Sequence, residues 1–142
     1  MSEQNKQLVR RFFEQIDTGE PAILDEFISQ DYDDHNPPPF PNLQPGIAGS
    51  HQAFKLALDA FGEFSHEILD QVAEGDKVVT RVRATGKHTG NFLGIPPTNK
   101  DVTMDGITVH RITDGKIVEH WSTIDAFSLF AQLGAIEPPG AA

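Results

Sequence analysis

At 142 residues the chain is long enough for one complete core and too short for two ordinary domains. Its 38% hydrophobic share is that of a globular protein, and no apolar run reaches the roughly 18 residues that span a bilayer. The net charge of -10 is spread along the chain and repels phosphate backbones and anionic lipid, so neither nucleic acid nor membrane is an expected partner. The absence of cysteine excludes disulfides, thiolate zinc sites and a cysteine nucleophile. Met1 to Arg11 leads into no apolar segment of the secretory kind, which makes the cytoplasm the expected compartment.

The N-terminal third reads as helix, then loop. Ser2 can cap a first helix in which Leu8, Val9, Phe12, Phe13 and Ile16 recur at helical spacing. Thr18-Gly19-Glu20-Pro21 ends it, and Pro21 suits the first turn of a second helix burying Ile23, Leu24, Phe27 and Ile28. Asp31 to Asn36 and the prolines up to Pro41 are expected as a loop running to Gly49. A third helix is predicted from Ser50, with Phe54, Leu58 and Phe61 on one face.

After Gly62 the period falls from about 3.6 to about 2. Strands are predicted over Ser65–Ala73, Lys77–Thr89, Asp101–Thr113 and Lys116–Ile124. Glu74-Gly75-Asp76 and Asp114-Gly115 read as hairpin turns, and Gly90 to Asn99 as a longer lip. A short helix, Ala126 to Leu133, precedes a Pro/Gly/Ala tail expected to be mobile. Helices followed by an antiparallel meander predict one α+β domain over residues 1–142, its ordered core about 3–134, with helices on one side of a curved sheet.

No nucleophile elbow, Walker loop, dinucleotide fingerprint or H-E-x-x-H helix is present. Gly46-Ile47-Ala48-Gly49 could bind an anion at a helix start but is more often a plain turn. None of the six histidines pair at zinc-ligand spacing, so no metal is expected. Strand parity is more informative. It places Val78, Val82, Ala84 and His88 on one face, and Met104, Thr108, His110 and Ile112 on one face of the next strand. Trp121, Thr123 and Asp125 share a face of the last strand, and the same count places Glu119 with them, so that it lies toward the rim or a bulge intervenes. If these faces coincide, they make a pocket of His88, His110, Trp121 and Asp125, in which desolvation would raise a carboxylate pKa toward neutrality. Each residue has a plainer use. Asp125 precedes a helix and is equally suited to capping it. His88, His110 and Trp121 can be core residues, His35 and Asn36 can serve a turn before the prolines, and His51 and His66 read as surface.

Several segments resemble a known family in order and spacing. They are Glu74-Gly75-Asp76-Lys77-Val78-Val79, Gly86-Lys87-His88-Thr89-Gly90 and Gly94-Ile95-Pro96-Pro97-Thr98, then Asp114 to Trp121 with Asp125, and Gln132-Leu133-Gly134. Between Phe12-Phe13 and Gly134 they resemble the SnoaL-like polyketide cyclases, also called ester cyclases, of the nuclear transport factor two-like superfamily. The resemblance implies an α+β cone around an internal pocket, usually dimeric or tetrameric. It implies ring closure by intramolecular aldol condensation on a hydrophobic aromatic or polyketide-like substrate, with no cofactor and no metal. In the family the acid/base is an aspartate after the last strand, which Asp125 matches. His110 and Asn36 match polar residues that share the proton work or orient substrate, and His35, His88 and Trp121 are the further candidates for substrate binding. The alternative is a binding domain of the same fold that is non-catalytic or runs hydroxylase-, isomerase- or hydrolase-like chemistry.

Overall fold

A computed structural model describes residues 2–140, so the last two residues of the tail lie outside it. The first helix, α1, is Ser2–Ile16 and buries the five residues its spacing indicates: Leu8, Val9, Phe12, Phe13 and Ile16. Ser2 already lies inside the helix, so the position that would cap it is Met1, outside the described residues. Helix α2, Ala22–Phe27, follows Pro21 and is shorter than expected. It gives way at Ile28 to a strand, β1 (Ile28–Asp34), in the segment expected to finish the helix and become loop. Helix α3, Ile47–Ala60, begins three residues earlier than predicted, with Gly46 at its N-cap. Gly49 lies inside it, where a Cβ would come 2.0 Å from the Gln44 carbonyl oxygen, so close packing accounts for this glycine.

The meander consists of β2 (Phe61–Glu74), β3 (Lys77–His88), β4 (Asp101–Thr113) and β5 (Lys116–Ile124), and α4 (Ala126–Gln132) closes the chain. Asp114 and Gly115 both have positive φ, 51° and 74°, as a primed two-residue hairpin turn requires. The sheet order is β1-β5-β4-β3-β2. The meander is antiparallel, but β1 joins its far edge parallel to β5, so the sheet is mixed. Register breaks in β2, at Gly62/Ser65 and Ile68/Asp70, and another between β4 and β5, bend it.

Two apolar clusters occupy the ends of the inner face. One joins α1, α2 and β1 to Val78, Val82, Ile112 and Ile117. The other joins Ala60, Phe61, Phe92 and Val102 to Leu129 and Leu133 of the C-terminal end. Between them Met104, Gly106 and Ser122 are only half-buried and Ile124 is exposed, which leaves the middle of the inner face accessible. No helix is long and apolar enough to cross a membrane among the described residues.

Candidate active site

The β4–β5 register decides what faces this opening. Thr113 pairs with Lys116 and Ile112 with Ile117, after which Arg111 pairs with Glu119 and His110 with His120. Val118 is therefore an extra residue, a bulge that shifts the register by one. Because successive strand residues point to opposite faces, that one place decides the lining. His110 faces inward, so His120 does too, and Thr108 and Ser122 form the next inward pair. Four polar side chains thus make a quadrilateral on the inner face, roughly 5 Å apart across the strands and roughly 7 Å along them.

His120 Nδ1 lies 2.8 Å from Asp34 Oδ1 at the end of β1, both side chains being 17% exposed. The carboxylate accepts the Nδ1 proton in either charge state of the ring, and in the neutral ring Nε2 is then a lone-pair acceptor. Burial alone would raise the Asp34 pKa, but the hydrogen bond and charge of His120 and the Asn36 backbone N–H together hold it below the ordinary carboxylate value. Beside it the Tyr32 hydroxyl is pushed up, first by burial and then by the Asp34 charge.

His110 sits against the edges of Phe12 and Phe13 and 5.0 Å from the His120 ring. Burial, with a smaller contribution from His120, holds its pKa well below the ordinary histidine value. A neutral imidazole carries one N–H donor and one acceptor, and here Nδ1 is buried without a partner. Thr108 Oγ1 is in the same condition. Leaving each group unpaired costs about 1–3 kcal/mol, so these two atoms stand out among the buried polar groups of the inner face.

The residues singled out from sequence are distributed unevenly. Asn36 is at the rim, its Oδ1 accepting the Ser122 backbone N–H at 2.9 Å where β1 has left the ladder. His35 and Trp121 are on the other face of the sheet, their rings stacked 4.6 Å apart at 7°. Trp121 pairs with Val109 rather than with an inward residue, so the expected pocket wall of Trp121 is not formed. His88 is fully buried at the far end of β3, its Nδ1 accepting the Thr98 backbone N–H. The Nε2–H is unpartnered there, ten residues along β3 from the partner of His110. Asp125 is exposed, and its Oδ1 accepts the Ser128 N–H at 3.0 Å, so it caps α4. The desolvated environment expected for it is absent, and it lies three residues, roughly 10 Å, beyond Ser122.

Sequence reasoning passed over Asp34, His120 and Ser122 as site residues. Three other histidines also pair with carboxylates, but none of them adjoins the unpaired groups. His35 binds Glu119, His51 binds Asp25, and His66 binds Asp17. His66, expected at the surface, is half-buried and takes a second bond from its backbone N–H to Asp17, a brace between α1 and β2. Among the described residues no three His, Asp or Glu side chains could hold a metal ion.

A family model described as SnoaL-like polyketide cyclase matches residues 7–133. The chain is 33% identical to aklanonic acid methyl ester cyclase DnrD of Streptomyces peucetius, with 89% of this chain and 88% of that protein covered. It is 32% identical to nogalonic acid methyl ester cyclase of Streptomyces nogalater, over 84% of this chain and 89% of that one. The solved structure of TsrD from Streptomyces laurentii superposes with a TM-score of 0.83 at 30% identity, covering 94% of this chain and 97% of TsrD. The chain therefore belongs to the SnoaL-like polyketide cyclase family.

Proposed function

We propose that this protein closes a ring in a hydrophobic, polyketide-like substrate by intramolecular aldol condensation, with His120 as the acid/base. The observation that carries this reading is the Asp34–His120 pair set beside two buried, unpaired polar groups, Thr108 Oγ1 and His110 Nδ1. His120 Nε2 takes a proton from a carbon flanked by carbonyls. The resulting enolate attacks a second carbonyl carbon of the same molecule, one C–C bond forms, and the new alkoxide takes the proton back. Atoms balance without a co-reactant. Thr108, Ser122 and the single N–H of neutral His110 are the donors available to the enolate oxygen.

The family resemblance would give the acid/base role to Asp125, and the geometry favours His120. Turnover of aklanonic and nogalonic acid methyl esters, followed chromatographically, tests the assignment. His120→Gln is expected to lower it by roughly two to four orders of magnitude. Full turnover by that variant, with loss in Asp125→Asn, would return the role to Asp125. Ester binding without turnover by the wild-type protein would favour a binding domain. Exposed Val72, Val79 and Ile107 on the outer sheet face support self-association as a dimer, which light scattering would read directly.

A further inference from the structure

His88 lies against the second apolar cluster, away from the polar groups in the middle of the inner face. It is fully buried, and its ladder partner on β2 is Phe61, whose ring centre is 5.5 Å from its own. Thr98, on the lip between β3 and β4, donates its backbone N–H to Nδ1 at 3.2 Å, so the ring proton is on Nε2. That N–H has no partner among the described residues. A donor left so among carbon destabilises the fold, and a phenylalanine or leucine here would carry no such cost.

A buried water is held by two to four polar partners, and this cluster is poor in them. The side chains of Ala60, Phe61, Phe92, Val102, Leu129 and Leu133 are hydrocarbon throughout. Toward the opening the cluster ends in rings. Phe92, on the lip, meets Phe40 edge-on at 5.9 Å and lies near-parallel to Phe130, at 22° and 6.0 Å. Phe40, Phe64 and Phe130 are half-buried, and so is Met104, which separates Val102 from the accessible middle of the inner face. A methionine side chain turns aside easily. From Ala84, the partner of Met104, to His88 is four residues, roughly 13 Å along β3. Gly86, between them, is covered by Phe61 and Phe64, so that stretch of the chamber is faced with aromatic carbon.

We propose that this cluster is the subsite for the planar, unsaturated end of the substrate, where the His88 Nε2–H donates to a ring carbonyl or phenol oxygen. The half-buried Phe40, Phe64 and Phe130 supply ring faces for stacking. The ligand class is a fused aromatic ring system with an oxygen acceptor at its leading end. A site built around one buried donor discriminates against a ring of the same shape that lacks the acceptor. The inference rests on reading the chamber as the binding place of a polyketide-like molecule, and on no assignment of the acid/base. His88 touches no reacting atom; it sets which ring system is admitted and how deep it lies.

The test uses the full chain and two probes of one shape, 9-fluorenone and fluorene, which differ in a carbonyl against a methylene. A buried imidazole N–H, shielded from exchange, gives its own signal in a proton–nitrogen-15 spectrum. Fluorenone is expected to move the His88 Nε2–H signal downfield, and fluorene to leave it in place. His88→Phe should weaken fluorenone binding roughly fivefold to tenfold and leave fluorene binding within about twofold. If His88→Phe does not fold, the wild-type spectra decide alone. A His88 signal that shows a cross-peak to bound water and is not moved by fluorenone makes water the partner and overturns the proposal. Equal effects of the two probes, or binding of neither, overturn it as well. Turnover of aklanonic acid methyl ester by the wild-type chain is measured separately. Turnover with an unmoved His88 signal leaves the ring-closing reading standing, and a moved signal without turnover leaves the subsite standing as that of a binding domain.

Discussion

His110 and His120 face each other across adjacent strands, ring centroids 5.0 Å apart, yet only His120 has a carboxylate partner. Two histidines this close cannot both be charged without cost, and the structure separates their roles by surroundings. His110 lies among phenylalanines and stays neutral, while Asp34 fixes the His120 tautomer. One neutral donor and one base side by side suit a reaction in which a proton leaves carbon while charge gathers on oxygen.

The Asp34 carboxyl is held below its ordinary value, so the stability it contributes is present above the unfolded pKa of about 3.9 and is lost as pH falls through the folded value. Replacement by Asn should cost up to about 1.5–3 kcal/mol at neutral pH, the range for a hydrogen bond to a charged group. The gap between urea melts of the two proteins should begin to narrow below about pH 4 and close below the folded value. A gap that persists undiminished at pH 3 would mean the carboxylate charge contributes nothing.

For His110 the unfolded chain binds a proton more readily than the folded one. Stability therefore rises with pH through the interval from the depressed folded pKa up to about 6.5. Below about pH 6.5 the wild type should lose up to ~1.4 kcal/mol per pH unit more than His110→Gln, one proton's worth of linkage. Parallel stability–pH curves would show that His110 protonates in the folded state as easily as in solution.

At Asp125 size and charge can be separated. Asp125→Asn keeps an acceptor for the Ser128 N–H and should melt as the wild type does, whereas Asp125→Ala should cost about 1 kcal/mol from the lost cap. Turnover of the methyl esters by the Asn variant should be unchanged. A thousandfold loss in that variant with its stability intact would make Asp125 catalytic despite its exposure.

Deleting Val118 should leave the strand partners as they are, because the bulge is the residue without one. Nuclear Overhauser contacts between His110 and His120 should survive in the shortened chain. Contacts between His110 and Trp121 instead would show that the bulge does not set the facing.

Much of the fold is legible in the residues because alternation and helical spacing are strong from Phe61 onward and in α1. The inward faces of β3 and β4 follow directly from Val78, Val82, Ala84 and His88, and from Thr108, His110 and Ile112. β1 is concealed because only Ile28 and Tyr32 among its seven residues are buried, and aspartates are poor strand formers. Counting back from the Asp114-Gly115 turn without a bulge places Glu119 opposite His110 and points Trp121 inward. The unpaired Val118 reverses that result, and the awkward placement of Glu119 on an apolar face is the one sign of it. The bulged register keeps Glu119 on the outer face with Arg111, where the uninterrupted one would turn its charge toward the interior. Partner choice beyond the strand, not propensity within it, decided the lining.

Val118 also bears on how chain length can vary among related sequences. Loss of one codon at this position alters the local twist of β5 and leaves the side chains of the inner face as they were. The loss of one residue at His120 instead exchanges the two sides of β5 beyond Glu119, bringing Trp121 and Thr123 to the inner face while no amino acid is substituted. Between Val118 and His120, a length change is silent at one end and rewrites the reaction surface at the other.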